Sequence, residues 1–284
     1  MSDFHLGKYG LRLLQNVLTD NHSPTFYRGL EKYLRKELQA DEVTVKKCKR
    51  GSHWISVPFK VNVRTCNESQ TLFVKVLTEK GLRNFNYAIE SRNLRILILA
   101  NLCGLRYKKA GSKQDVLTYE AATLMRFKAA RICAPTPLKV FDTEFYSLLM
   151  LEYIKGTPLG GGILRQGDAE RVLHVVKHLW DSRLVHGDIK LDNFIRTKDG
   201  SIYLSDCLNW TGSRQAAMYY DLASALLCLS RKLEPYTVLK IAHQFFTALE
   251  IREVLPLIDL AGVQLDALTD EDRARQIKTA MQSF

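Results

Sequence analysis

Residues 185–194 read VHGDIKLDNF. Ahead of them, apolar residues recur at helical spacing over 168–182, which predicts an amphipathic helix. Behind them, FIRTKDGSIYLSD (194–206) reads as a hairpin turning at Asp199-Gly200. The loop between helix and hairpin then brings Asp188 and Asn193 to the hairpin's far end, where Asp206 stands. An Asp and an Asn that chelate a hard cation, beside a second Asp that accepts a hydroxyl proton, form a working set for phosphoryl transfer from a Mg-nucleotide. Mg²⁺ keeps several of its waters, so two protein side chains suffice to hold it.

The rest of the chain limits the alternatives. Its 284 residues suit two lobes, each with its own core, and the 46% hydrophobic and 25% charged fractions are those of an ordinary globular protein. The longest apolar stretch, ILILANLCGL (96–105), is too short to span a bilayer. The opening MSDFHLGKYG lacks the basic and apolar regions of a signal peptide, so the expected location is the cytoplasm. Six scattered cysteines with no CxxC pair argue against a zinc or redox motif and read as free thiols. The formal net charge is +11, part of it clustered in VKKCKRGSHW (45–54) and GLRYKKAGSK (104–113). Such a surface attracts phosphates, acidic lipid headgroups or other anions.

Along the chain, residues 9–40 show two runs at helical spacing, broken by DNHSP (20–24). EVTVKKC, HWISVPFKVNV and TLFVKVL, between about 41 and 78, are β-branched and partly alternating, as antiparallel strands are. Helices are expected over 83–105 and 115–130, a buried strand over 146–154 and helices again beyond 215. This segregation predicts an α+β chain with a β-rich lobe and a helical lobe. The expected division is a helical extension (1–40), a first lobe with its hinge (41–155) and a helical lobe carrying the loop (156–284).

Here the motifs carry a resemblance. His186-Gly187-Asp188-x-x-x-x-Asn193 is similar to the catalytic loop H-R/G-D-x-x-x-x-N of the protein-kinase-like superfamily. Asp206, thirteen residues after Asn193, stands where that family keeps its metal-binding Asp. LFVKVL resembles the strand that presents the phosphate-contacting Lys, here Lys75, and LLMLEYIKGTPL resembles the adenine-binding hinge. The resemblance implies a bilobal kinase-like fold using ATP and Mg²⁺. It implies Asp188 as the catalytic carboxylate, with Lys190 on the γ-phosphoryl group, and Asn193 and Asp206 as metal ligands. It implies Lys75 at the α- and β-phosphates, held by Glu120, with Glu90 as the rival partner. Backbone at Glu152 and Ile154 would meet adenine, and backbone at Gly51 and Ser52 would cover the phosphates. Asp221 would anchor the loop and His186 would act as a structural hydrogen-bonder.

Departures from the family pattern narrow the kind of kinase. KRGSHWI holds a single glycine, Asp206-Cys207-Leu208 replaces D-F-G, and no A-P-E follows. Asp221 follows Asp206 by only fifteen positions, which leaves little room for a peptide-binding activation segment. In this the chain resembles lipopolysaccharide core (heptose) kinases, which implies a lipid-linked acidic sugar acceptor and peripheral contact with an anionic membrane. Nucleic acid is not required as a partner. The second resemblance is to RIO-type atypical protein serine/threonine kinases, which Lys190 and the Pro-containing APTP (134–137) favour. A pseudokinase binding module is the third reading, against which the presence of Lys75, Asp188, Asn193 and Asp206 counts.

Overall fold

The computed structural model describes residues 24–48, 55–99, 104–262 and 271–283. The first of the two expected helical runs in 9–40, ahead of DNHSP, and the loop with Gly51 and Ser52 lie outside the described residues. The described residues form two compact units. One draws on the chain up to Asn84, on Ser112–Leu117 and on Leu138–Tyr153; the other draws on Phe85–Gly111, on Thr118–Pro137 and on the chain from Ile154.

The first unit is built on a five-stranded sheet. Its strands are β1 (Glu42–Lys47), β2 (Ser56–Arg64), β3 (Ser69–Thr78), β5 (Pro137–Asp142) and β6 (Tyr146–Glu152), in the order β1-β2-β3-β6-β5. Alternation decides its faces. Val57, Phe59, Val61 and Val63 on β2, Leu72, Val74 and Val76 on β3, and Leu148 and Met150 on β6 share one core with Phe26, Leu30 and Leu34 of helix α1 (Pro24–Glu37). Phe26 lies 5.8 Å from Phe59 and 6.4 Å from Tyr146, ring centroid to centroid. Lys75 falls between Val74 and Val76, so the pleat sends its side chain to the opposite face. It is paired in register with Leu149 and Pro58. Pro58, which has no N–H to give, stands just past the β1–β2 ladder, where Cys48 N donates to its carbonyl.

The second unit is mainly helical. Its centre is α5 (Arg214–Ser230), buried on nearly every side from Ala216 to Ser230. A helix apolar all round belongs inside a core. Around it pack α4 (Gln166–Asp181), α6 (Pro235–Ala242), α8 (Ile258–Gly262) and α9 (Glu271–Ser283), with the short α7 (Ala248–Glu253) following α6. Val172, Leu173, Val176 and Leu179 are the buried stripe of α4. A small sheet, β7 (Gly156–Pro158), β8 (Phe194–Thr197) and β9 (Ile202–Leu204), contains the expected hairpin, and Gly200 at its turn has φ +86°. Helix α2 (Glu79–Leu99) and helix α3 (Lys113–Ala129) match the expected helices, with one difference. The chain leaves α2 before Gly104, and Leu105–Tyr107 form strand β4, antiparallel to β10 (Trp210–Gly212). Gly104 and Gly212 suit this ribbon: both have positive φ, and a Cβ on Gly212 would fall 1.6 Å from Gly104 O. Among the described residues no helix is long and apolar enough to cross a membrane.

Burying side chains such as Leu30 and Leu34 stabilises the α1–sheet contact by about 1.5–3 kcal/mol each. Leu34→Ala is expected to cost the first unit about 2–5 kcal/mol in urea unfolding. A loss below about 1 kcal/mol would mean that α1 is only loosely attached to the sheet.

Candidate active site

The loop of residues 185–193 is set by what precedes it. Helix α4 ends with Arg183 in the left-handed region (φ +54°), with Arg183 N donating to Trp180 O and Leu184 N to Leu179 O. This paired closure turns the chain sharply out of the helix. Asp221, on buried α5, then accepts two backbone hydrogen bonds, from His186 N at 2.6 Å and from Gly187 N at 2.9 Å. His186 is fully buried and stacked on Phe127. Its Nδ1 accepts from Asp188 N at 3.2 Å, so its Nε2 is the donor to Ser205 O at 3.1 Å. Gly187 adopts φ +79°, and a Cβ there would stand 2.9 Å from Leu208 O. Only glycine fits without strain.

These bonds bring Asp188 and Asn193 together and tie the segment that carries Asp206 to the same loop. Asn193 Nδ2 donates to Asp188 O at 2.8 Å and approaches Asp188 Oδ2 at 3.4 Å. Ser205 N donates back to Asn193 O at 2.9 Å, and Leu208 N donates to His186 O at 3.0 Å. Asp206 is therefore carried on a short bridge tied at both ends to the loop of residues 185–193. It has φ +59°, a region that a non-glycine residue enters at a cost of about 1–3 kcal/mol unless its surroundings fix it. The Asn193 carboxamide turns its nitrogen to Asp188; its oxygen together with the Asp206 carboxylate would be a hard-oxygen pair of the kind that suits Mg²⁺. Among the described residues no group of three or more His, Cys, Asp or Glu forms a metal cluster.

Asp188 is 9% exposed and doubly paired. Lys190 Nζ lies 3.1 Å from Oδ2, and Arg92 Nη2 lies 3.0 Å from Oδ1. Burial alone would raise its carboxyl pKa, but the Lys190 ammonium and the Arg92 guanidinium outweigh burial and hold it well below the usual carboxylate range. At Asp221 burial, helped by the nearby Asp188 charge, outweighs the two N–H donors and pushes the carboxyl up to about 7.

Arg92 is the residue that sequence reasoning missed. It lies on α2, 6% exposed, among the buried positions Phe85, Ala88, Ile89 and Ile96. An arginine inside an apolar helical stripe is the signal that marks it, because a charged side chain is seldom buried without a partner. Tyr107 was missed with it: its hydroxyl donates to Gly187 O at 2.9 Å. Asn93 in turn fixes Tyr107 by bonding both its N–H and its carbonyl, at 2.8 and 2.9 Å.

The remaining expected residues divide between the units. Lys75 and Glu152 belong to the first, on β3 and at the end of β6; Glu120 and Ile154 belong to the second. Glu120 is buried on α3, and its carbonyl accepts a weak Cys207 Sγ contact at 4.0 Å. Glu90 is exposed and paired with Lys109.

No protein-family model and no curated protein matches the chain. Solved structures do. A protein of Haemophilus somnus described as a fructosamine-3-kinase is 11% identical, with TM-score 0.46, covering 89% of this chain and 96% of its own. The PknI kinase domain of Mycobacterium tuberculosis is 14% identical, with TM-score 0.43, covering 85% and 94%. Likeness at that level leaves the chemistry to be read from the residues of this chain.

Two outcomes follow from the loop's anchoring. Unfolded, the Asp221 carboxyl ionises near its ordinary 3.8; folded, near about 7. The folded chain thus keeps a proton that the unfolded chain releases within that window. Stabilisation from this group is full below the window and is lost as pH rises through about 7. Between about pH 5 and about 8 the urea midpoint should fall more steeply for the native protein than for Asp221→Asn. Equal slopes would place the ionisation elsewhere. Gly187→Ala should destabilise the protein by about 1–3 kcal/mol through strain alone, and an unchanged unfolding midpoint would show that the loop relaxes freely.

Proposed function

We propose that this protein transfers the γ-phosphoryl group of ATP to a hydroxyl, and that the acceptor is a lipopolysaccharide core sugar. The observation that carries the phosphotransfer reading is the pairing of Asn193 Nδ2 with Asp188, with the segment just before Asp206 tied to the same loop by Ser205 N to Asn193 O. Asn193 Oδ1 and the Asp206 carboxylate would hold Mg²⁺, which when bound neutralises phosphate charge. Asp188 orients the acceptor hydroxyl. As the new O–P bond forms and the bond to the departing β-phosphate oxygen breaks, the hydroxyl proton passes to Asp188 and ADP leaves. A carboxylate held so far below its usual range is a weak base, so the proton moves late, as phosphoryl transfer allows. Lys190, already beside Asp188, supplies positive charge to the group in transit. Lys75 with Glu120, and the backbone at Glu152 and Ile154, are assigned to the nucleotide.

The sugar acceptor is supported by the net charge of +11, by the short stretch from Asp206 to Asp221, and by the similarity of EYIKGTPL and HGDIKLDNFI to the heptose kinase pattern. A basic protein suits an acidic, lipid-linked acceptor at a membrane face. One observation favours a second reading. A lysine two positions after the catalytic Asp and 3.1 Å from it suits an atypical protein serine/threonine kinase.

The test is transfer of labelled γ-phosphate from ATP to purified core lipopolysaccharide stripped of its phosphates. Asp188→Ala should lower transfer by about a thousandfold or more while Mg-ATP affinity stays within about twofold. Full activity in that variant would sink the assignment. Asp206→Ala should weaken Mg-ATP binding about tenfold or more, and unchanged affinity would remove Asp206 from the metal site. Asp188-dependent label on protein, with none on the sugar, would select the second reading.

A further inference from the structure

Both oxygens of Asp188 are engaged, by unequal partners. Oδ1 accepts from Arg92 Nη2 at 3.0 Å. Oδ2 faces Lys190 Nζ at 3.1 Å and Asn193 Nδ2 at 3.4 Å. The Arg92 side chain is 7% exposed, whereas that of Lys190 is 26% exposed. Arg92 is also held by further contacts. Its Nη1 donates to Gly187 O at 3.3 Å, and its guanidinium lies 4.9 Å from the Tyr107 ring centroid. The Tyr107 hydroxyl donates to the same Gly187 carbonyl. A partly exposed ammonium on a flexible stem leaves its partner readily. A buried guanidinium fixed by a fork and an aromatic face does not, because its departure would strand a buried carboxylate.

We infer that Arg92 is a positioning residue that fixes Asp188 through Oδ1 and so reserves Oδ2 for the acceptor hydroxyl. Lys190 is the partner that gives way at Oδ2 when the hydroxyl binds. The inference rests on the phosphotransfer reading for its purpose, and on the contacts of Arg92 for its substance. It extends the active site to a helix, α2, on which sequence reasoning singled out only Glu90. Gly187 gains a second role from it, because its carbonyl is the point on which both Arg92 and Tyr107 close.

Two measurements test it. The first is Mg-ATP turnover with water as acceptor, read by phosphate release, alongside Mg-ATP affinity by calorimetry. Arg92→Met should lower kcat about a hundredfold with affinity within about twofold. Arg92→Lys, which keeps the charge and loses the fork, should recover part of that loss. In an Asp188→Asn background, Arg92→Met should cost nothing further, since it acts through Asp188. Equal loss of kcat and affinity, or a full additional loss in that background, would mean that Arg92 only supports the fold and would overturn the inference.

The second measurement needs no turnover. Amide hydrogen exchange over residues 186–190 should quicken by about tenfold or more in Arg92→Met while α5 stays protected. Unchanged exchange overturns the inference whatever the activity. Quickened exchange in the variant, with no Mg-ATP turnover in the native protein, would uphold Arg92 as the loop's clamp and sink the phosphotransfer reading instead.

Discussion

The Asp221 carboxylate is the point on which the site depends. It stands on a helix buried along almost its whole length, so its position is fixed by the core of the second unit. Its two oxygens take the backbone N–H groups of His186 and Gly187, which would otherwise be buried donors without partners. Once those two peptides are fixed, the His186 ring reaches Ser205 and the Asp188 amide, and the hairpin end carrying Asp206 is drawn to the loop. Removing that carboxylate would orphan two amides and loosen every later link together.

Asp188 and Asp221 illustrate how surroundings assign roles to like groups. Both are buried, and they lie 33 positions apart in sequence but on either side of the same two peptides. Asp188 has two cations and is held ionised. Asp221 has neutral donors only and is pushed toward protonation. Pairs of carboxyl groups whose surroundings drive their pKa values apart commonly divide chemical from supporting work. The division here falls on the residue that Arg92 and Lys190 face.

Much of this was legible from residue order. The hairpin turn at Asp199-Gly200, the alternating strands around Lys75, and the grouping of Asp188, Asn193 and Asp206 all follow from local period and turn chemistry. What was not legible is long-range. Arg92 meets Asp188 from 96 positions away, and nothing local to either residue announces the pairing. The β4–β10 ribbon was hidden for the same reason. Three-residue strands carry too little alternation to be seen, and the apolar run through 96–105 continues the helical pattern past Leu99, the last residue of α2. Glu90 and Glu120 could not be separated by spacing. They differ in burial, Glu120 buried and Glu90 exposed, and burial is a property of the folded chain.

The fifteen positions from Asp206 to Asp221 are fastened along most of their length. Leu208 N is tied to His186 O, Asn209 O accepts from Lys108 N, Trp210–Gly212 pair with β4, and Ser213 both bonds Gly104 O and caps α5. Opening any one of these bonds would draw on its neighbours, so the segment that carries Asp206 and the loop of residues 185–193 share one set of ties and would loosen together.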